Sequence, residues 1–352
     1  MSVTRKPTGR LAVALAGLAL SALALSACAG GSAEPAASDS AEDGLGDLAV
    51  QLSWIKNEEF AGEYFADSKG YYTEAGLGTV TLVPGPSTGA AELVSGTVDV
   101  AINDAVSAGA AVAGEGAPLK IIGATLQKNP FTILSLADGG DILTPDDLVG
   151  KRIGVQDSNR ALFDAFLAAN DIAATDLEIV PVQYDPAPVM NGEVDGFMAY
   201  LTNEAISVEM AGLATSNLPF ADNGLPFVAE TFTVTEETLE TRRDALKAFL
   251  VAEIRGWKDA LADPDEGARL ALEVYGTDLD LDPEKTLAGM LATNALIVTD
   301  ETDANGLFTV SSSLQEETIA SLAGAGIELS VDDLFDLSLL AEVYEENPDL
   351  LD

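Results

Sequence analysis

Two kinds of side chain in this sequence could do chemistry at close range: aromatic rings beside amides, and hydroxyls in short turns. Trp54 ends an apolar run, and Asn57, Phe60 and Tyr64 follow at loop and then helical spacing, so all four can face one volume. Three rings and an amide suit a flat heterocycle, which stacks on the aromatic faces while Asn57 pairs with its polar edge. At that spacing Phe60 and Tyr64 can equally pack a core. Ser87 and Thr88, in Gly85-Pro86-Ser87-Thr88-Gly89, and Ser158, Asn159 and Arg160, in Gln156-Asp157-Ser158-Asn159-Arg160, each stand just before a helical stretch. Hydroxyls there are ordinary caps for free backbone N–H groups. The same N–H groups can hold a carboxylate, sulfonate, phosphate or ring oxygen, with Arg160 adding charge if it turns inward. Asn103 follows the apolar run 98–102, and Tyr200 and Asn203 close the run 196–201. That puts these three at strand C-terminal ends, where ligands of α/β proteins bind, although Asn203 can also be a helix cap.

Composition narrows the chemistry. The chain has 352 residues, 17 Lys+Arg against 58 Asp+Glu, no His and one Cys, for a formal net charge of −41. Without histidine there is no Ser-His-Asp triad, no Cys-His pair and no imidazole ligand, so hydrolase and zinc-enzyme mechanisms lack their usual parts. No catalytic group, metal or cofactor is expected. An acidic chain with no basic stripe argues against nucleic acid and against attraction to anionic membranes. Net charge says little about a small ligand, because the field inside a pocket can oppose it.

Residues 1–27 read as an export signal. Arg5, Lys6 and Arg10 precede the apolar or small run 11–27, which falls short of the roughly 20 residues of a comfortable membrane span. It ends in Leu25-Ser26-Ala27-Cys28, which resembles the bacterial lipobox, where the cysteine thiol is acylated and becomes the mature N-terminus. A short transmembrane helix with an incidental cysteine is the alternative. One diacylglyceryl group supplies two chains, enough for stable anchoring. Residues 28–47, mostly Ala, Gly, Ser, Asp and Glu, read as a flexible acidic tether. The expected location is the outer face of a bacterial cytoplasmic membrane.

Short apolar, β-branched runs recur at 48–54, 80–83, 98–102, 119–126, 131–137, 152–156, 177–182 and 196–201, with helical spacing at 60–69, 89–95 and 161–169 between them. This alternation predicts an α/β fold with parallel sheets covered by helices. Past residue 235 the pattern is helical, at 236–262, 266–275, 283–296, 314–323 and 337–345. Gly96-Thr97-Val98-Asp99 and Gly192-Glu193-Val194-Asp195 share Gly-X-Val-Asp before an apolar run. The Gly suits a helix C-cap and the Asp a strand opening, so either two lobes share one unit or the match is chance in an Asp-rich chain.

Leu52-Ser53-Trp54-Ile55-Lys56-Asn57, followed by Lys69-Gly70-Tyr71-Tyr72-Thr73-Glu74-Ala75-Gly76-Leu77, resembles the opening of ABC-importer solute-binding proteins, in the group that takes thiamine-pyrimidine precursors, alkanesulfonates and nitrate. Residues 84–89, both Gly-X-Val-Asp segments and Asp147-Leu148-Val149-Gly150-Lys151-Arg152-Ile153-Gly154-Val155 follow in that group's order, over about residues 48 to 300. The resemblance implies a bilobal fold of the type II periplasmic-binding-protein kind, two parallel-sheet lobes joined by two hinge crossings near 129–132 and 226–230. Lobe 1 would comprise 48–131 and 229–352, and lobe 2 would comprise 132–228. It further implies a monomer that closes on a small-molecule solute in the cleft and delivers it to permease transmembrane subunits with a cytoplasmic ATPase. In pyrimidine-binding relatives a Trp and an Asn stand at the places of Trp54 and Asn57, while Phe60 replaces a histidine frequent there.

Fungal pyrimidine-precursor synthases resemble the same residues. Those enzymes need a pyridoxal-phosphate lysine just after the third strand and a histidine that is itself consumed. Asn103 and Ser107 stand at those places, and Asp157 puts an acid where phosphate would approach. The resemblance therefore implies a binding protein and not an enzyme. The ligand expected is a planar heterocycle, such as a thiamine-related pyrimidine, a nucleobase-like ring or a flavin. The alternative is a sulfonate- or nitrate-type anion held by Ser87, Thr88, Ser158 and Arg160.

Overall fold

The computed structural model describes residues 44–351; Cys28, the export signal and most of the tether lie outside them. Short apolar segments form β1 (Leu48–Gln51), β2 (Val80–Val83), β3 (Val100–Asn103), β4 (Leu119–Leu126), β5 (Phe131–Leu136), β6 (Arg152–Gln156), β7 (Glu178–Val182), β8 (Gly196–Tyr200), β9 (Thr215–Pro219) and β10 (Ala229–Thr235). They assemble into two five-stranded sheets, ordered β2-β1-β3-β10-β4 and β7-β6-β8-β5-β9. β1 pairs in parallel with β2 and β3, setting Val50 beside Leu82 and Val100. β6 does the same between β7 and β8. All four residues of β3 are buried, as expected for a strand covered on both faces.

The sheets are mixed, not purely parallel as the alternation predicts. β10 runs antiparallel to β3 and β4, and β5 runs antiparallel to β8 and β9. These are the strands that follow a change of sheet: the chain leaves the first sheet after Leu126, enters the second at Phe131, leaves it after Pro219 and returns at Ala229. A short connection out of the end where parallel strands finish can only start the next strand at that end, so the next strand runs the other way.

The repeated Gly-X-Val-Asp segments occupy matching places in the two sheets. Gly96 and Gly192 turn the chain at φ 70° and 71°, a left-handed conformation that glycine adopts without Cβ strain. Asp99 accepts from the Ala49 N–H at 2.8 Å, and Asp195 accepts from the Arg152 N–H at 2.8 Å. Each aspartate thereby ties the entry of a central strand to the start of its parallel neighbour. Each also meets an arginine, Arg242 for Asp99 and Arg152 for Asp195.

The first sheet buries Val50, Phe232 and Phe308 among helices that include the long Arg243–Ala262, whose Phe249 and Trp257 face inward. That helix lies along Ala61–Ser68 so closely that a Cβ on Gly256 would stand 2.2 Å from the Gly62 carbonyl oxygen. In the second lobe Phe166 stacks on Phe220 at 4.0 Å. Two late helices also reach the second lobe: Pro283–Ile297 packs on Glu204–Met210, and Ser312–Gly324 packs on Arg160–Ala169. Among the described residues no helix is long and apolar enough to cross a membrane.

Candidate ligand-binding site

The strand ends of the two sheets face each other across a cavity of about 330 Å³. From the first lobe it is walled by Ser53 and Trp54 after β1, Glu59, the loop Pro86 to Thr88 after β2, Asn103, Asp104 and Ser107 at the end of β3, and Glu230 on β10. From the second come Phe131, Gln156, Ser158 and Asn159 after β6, Tyr184 after β7, Met198 to Tyr200 on β8, then Asn203 and Glu204.

Aromatic rings from both lobes meet in this space. Trp54 lies 5.4 Å from Tyr184, ring centre to ring centre, at 57°. The Tyr184 hydroxyl bonds Ser158 Oγ at 2.7 Å. Deeper in, Phe131 meets Tyr200 edge to face at 4.6 Å. The amides brace the walls: Asn103 Nδ2 donates to the Thr88 carbonyl at 2.8 Å, while its Oδ1 accepts from Thr231 and Thr233. Asn159 donates to Gln156 Oε1, and Gln156 donates to the Met198 carbonyl. Ser87 Oγ accepts from the Gly89 N–H and donates to Glu92, an ordinary turn-stabilising use of the hydroxyl.

Eight of the expected residues therefore line one cavity: Trp54, Ser87, Thr88, Asn103, Ser158, Asn159, Tyr200 and Asn203. Four stand elsewhere. Asn57 is buried and caps the turn Glu58–Phe60, accepting from the Glu59 N–H. Phe60 and Tyr64 lie one helical turn apart on the face turned to the core, 1% and 0% exposed, and Tyr64 stacks on Tyr275. Arg160 is exposed and pairs with Asp164 one turn along its own helix, so it brings no charge to the cavity.

Carboxyl groups are what the sequence reading missed. Burial, reinforced by Glu58 and Glu204, raises the Glu59 pKa to about 8. Burial also raises Glu204, and it pushes Glu230 far above the carboxylate range, with Glu59 adding to the effect. Glu230 sits at φ 46°, a left-handed conformation unusual for a residue with a Cβ, and both its oxygens accept from the single Ser53 hydroxyl. Behind the wall burial raises Glu58 to about 7, and Lys285 Nζ donates to Asn203 Oδ1 at 2.5 Å, joining the lobes. Tyr184 had a sequence signal, an aromatic in a polar segment straight after a strand. Among the described residues no cluster of His, Cys, Asp or Glu is arranged to hold a metal ion.

Comparison with known proteins agrees with this architecture. Over 253 residues the chain is 24% identical to the riboflavin-binding protein RibY of Chloroflexus aurantiacus, covering 68% of this chain and 69% of that one. The solved ligand-binding component of an ABC-type import system from Staphylococcus aureus, with zinc bound, superposes with a TM-score of 0.62 at 12% identity, over 84% of this chain and 98% of that one. The periplasmic aliphatic sulphonate binding protein SsuA from Escherichia coli gives a TM-score of 0.62 at 13% identity, over 86% and 93%. These two structures share the fold: two α/β lobes of the periplasmic-binding-protein kind. The NMT1/THI5-like family model matches residues 57–267, more than half of the chain, and the protein belongs to that family.

Proposed function

We propose that this protein is the extracytoplasmic solute-binding component of an ABC importer, held to the membrane by acylated Cys28, and that it captures a planar heterocycle between its lobes. The observation that carries the reading is the pair of rings, Trp54 from one lobe and Tyr184 from the other, tilted at 57° with centres 5.4 Å apart on the wall of a cavity of about 330 Å³. A flat ring seated in the cavity beside them can stack on aromatic faces from both lobes, which links capture to closure of the cleft. Likeness to a riboflavin-binding protein and to a component of an import system supports the same role. So does the chemistry at Asn103 and Ser107. An amide committed to Thr88, Thr231 and Thr233, and a serine bonded to Asp104, offer neither the amine nor the imidazole that a synthase needs.

The sulfonate or nitrate alternative has less to hold its ligand, because among the described residues no Lys or Arg lines the cavity. A thermal-shift screen against pyrimidines, thiamine, riboflavin, purines, sulfonates and nitrate tests the reading, since a ligand at 100 times its Kd adds about 2.7 kcal/mol to stability. Calorimetry on the best hit should then show Trp54→Ala weakening it at least tenfold and Arg160→Ala changing it little. An affinity that survives Trp54→Ala and collapses with Arg160→Ala would sink the heterocycle assignment.

A further inference from the structure

We propose that the solute carries a positive charge, that Glu59, Glu204 and Glu230 are its counter-groups, and that capture expels protons from the cleft. The inference rests on reading this cavity as the solute site and names the chemical class it takes.

Among the described residues four acidic side chains line the cavity, Glu59, Asp104, Glu204 and Glu230, against no basic one. Asp104 is provided for, since both its oxygens accept from Ser107, one from the N–H and one from the hydroxyl. The other three are not. Glu230 has one hydroxyl for two oxygens, and Glu204 has the Tyr200 N–H and a long contact from Asn203. Glu59 is 8% exposed, and among the described residues its carboxylate receives no well-formed hydrogen bond, with the Asn57 amide and the charge of Lys285 all that ease it. A buried carboxylate so poorly supplied with donors keeps its proton until a cation arrives.

The groups facing the trio do not change this. Glu58 on the turn beside Glu59, Glu63 on Ala61–Ser68 and Asp104 after β3 all oppose ionisation, as acids do. Lys285 on Pro283–Ile297 favours it, but its ammonium is not part of the cavity wall, donates to Asn203 at 2.5 Å, and does not outweigh burial at Glu59 or Glu204. A planar cation supplies what is missing. Its charge replaces one proton on the carboxyls, and its ring presents a positive face to Trp54 and Tyr184, whose π-clouds attract cations. One positive charge entering displaces one proton from the three carboxyls to solvent, so the charge of the cleft is unchanged by capture of a monocation.

The test is titration calorimetry on the full-length protein in buffers of high and low ionisation enthalpy at pH 5.5 and 7.5. Probes are the permanent cations thiamine and 1-methylnicotinamide, neutral riboflavin, and the anions nitrate and ethanesulfonate. A cation should bind with net proton release and with affinity rising by up to about tenfold per pH unit for each proton released. Glu59→Gln and Glu230→Gln should each weaken it at least tenfold and abolish part of the release; Glu204→Gln gives a third reading if either misfolds. Cation binding without proton release and indifferent to these variants overturns the proposal. Riboflavin binding that depends on Trp54, with both cations excluded, overturns it while leaving the heterocycle importer standing. Binding of the anions alone overturns both.

Discussion

Glu63 on Ala61–Ser68 and Glu253 on Arg243–Ala262 are buried on two helices that pack together, 1% and 0% exposed. The Tyr72 hydroxyl donates to Glu253, and the second oxygen of each carboxyl has no partner. Burial lifts Glu63 from 4.5 to about 8, and Glu63 in turn helps raise Glu253. A group whose folded pKa exceeds its unfolded one contributes stability that is complete below the unfolded value and is lost as pH climbs through the folded value. For Glu63 the loss runs from about pH 4.5 to about pH 8. Each pH unit inside that window costs about 1.4 kcal/mol, so between pH 5 and 8 this one carboxyl removes on the order of 3–4 kcal/mol. Glu63→Gln keeps the shape and hydrogen-bonding pattern of the protonated acid and cannot ionise. Its stability should match the wild type at pH 5 and exceed it by roughly 3 kcal/mol at pH 8, a gap of about 6 °C in Tm at ~2 °C per kcal/mol for a body this large. Melting curves of both proteins at half-unit pH steps measure it. Parallel curves, with no gap opening toward pH 8, would refute the claim that Glu63 is buried as the neutral acid.

Two further outcomes follow from packing and processing. Gly256→Ala places a methyl 2.2 Å from the Gly62 carbonyl oxygen and should lower Tm by a few degrees, about 1–3 kcal/mol, whereas Gly114→Ala, with nothing within 4 Å, should raise it slightly by helix propensity. Cys28→Ala should leave the protein unprocessed or released from the membrane; mass spectrometry finding mutant and wild type equally anchored and unmodified would end the lipoprotein reading.

Helices and central strands were legible because their signals are local and strong. The pattern at 283–296 became Pro283–Ile297, and 314–323 became Ser312–Gly324, each opened by a side-chain cap, although each also buries hydroxyl side chains, Thr286 and Thr293 on the first and Thr318 and Ser321 on the second. β9 and β10 were not legible. Thr215–Pro219 is an edge strand with three polar residues and a proline, and every residue of Ala229–Thr235 is buried, including three threonines and Glu230 that composition assigns to a surface. The antiparallel direction of β5 and β10 is equally invisible locally, since it depends on which end of each sheet the chain has just left.

The site divides along the same line. Trp54, Asn103 and Tyr200 could be found because strand ends are predictable and ligands gather there. Phe60 and Tyr64 show the limit of spacing, since a helical repeat says that two rings share a face but not which way the face looks. Glu59, Glu204 and Glu230 expose the harder limit. In a chain with 58 acidic residues, an Asp or Glu carries almost no positional information, and the ordinary expectation for each is a solvated surface. What sets these three apart is placement by residues far away in sequence: Glu230 is opposite Ser53, and Glu59 and Glu204 approach from different lobes. The feature that gives the cavity its chemistry, carboxyls gathered where among the described residues only Lys285 behind the wall answers them, is a property of the fold that closes around it and becomes readable only when both lobes are present.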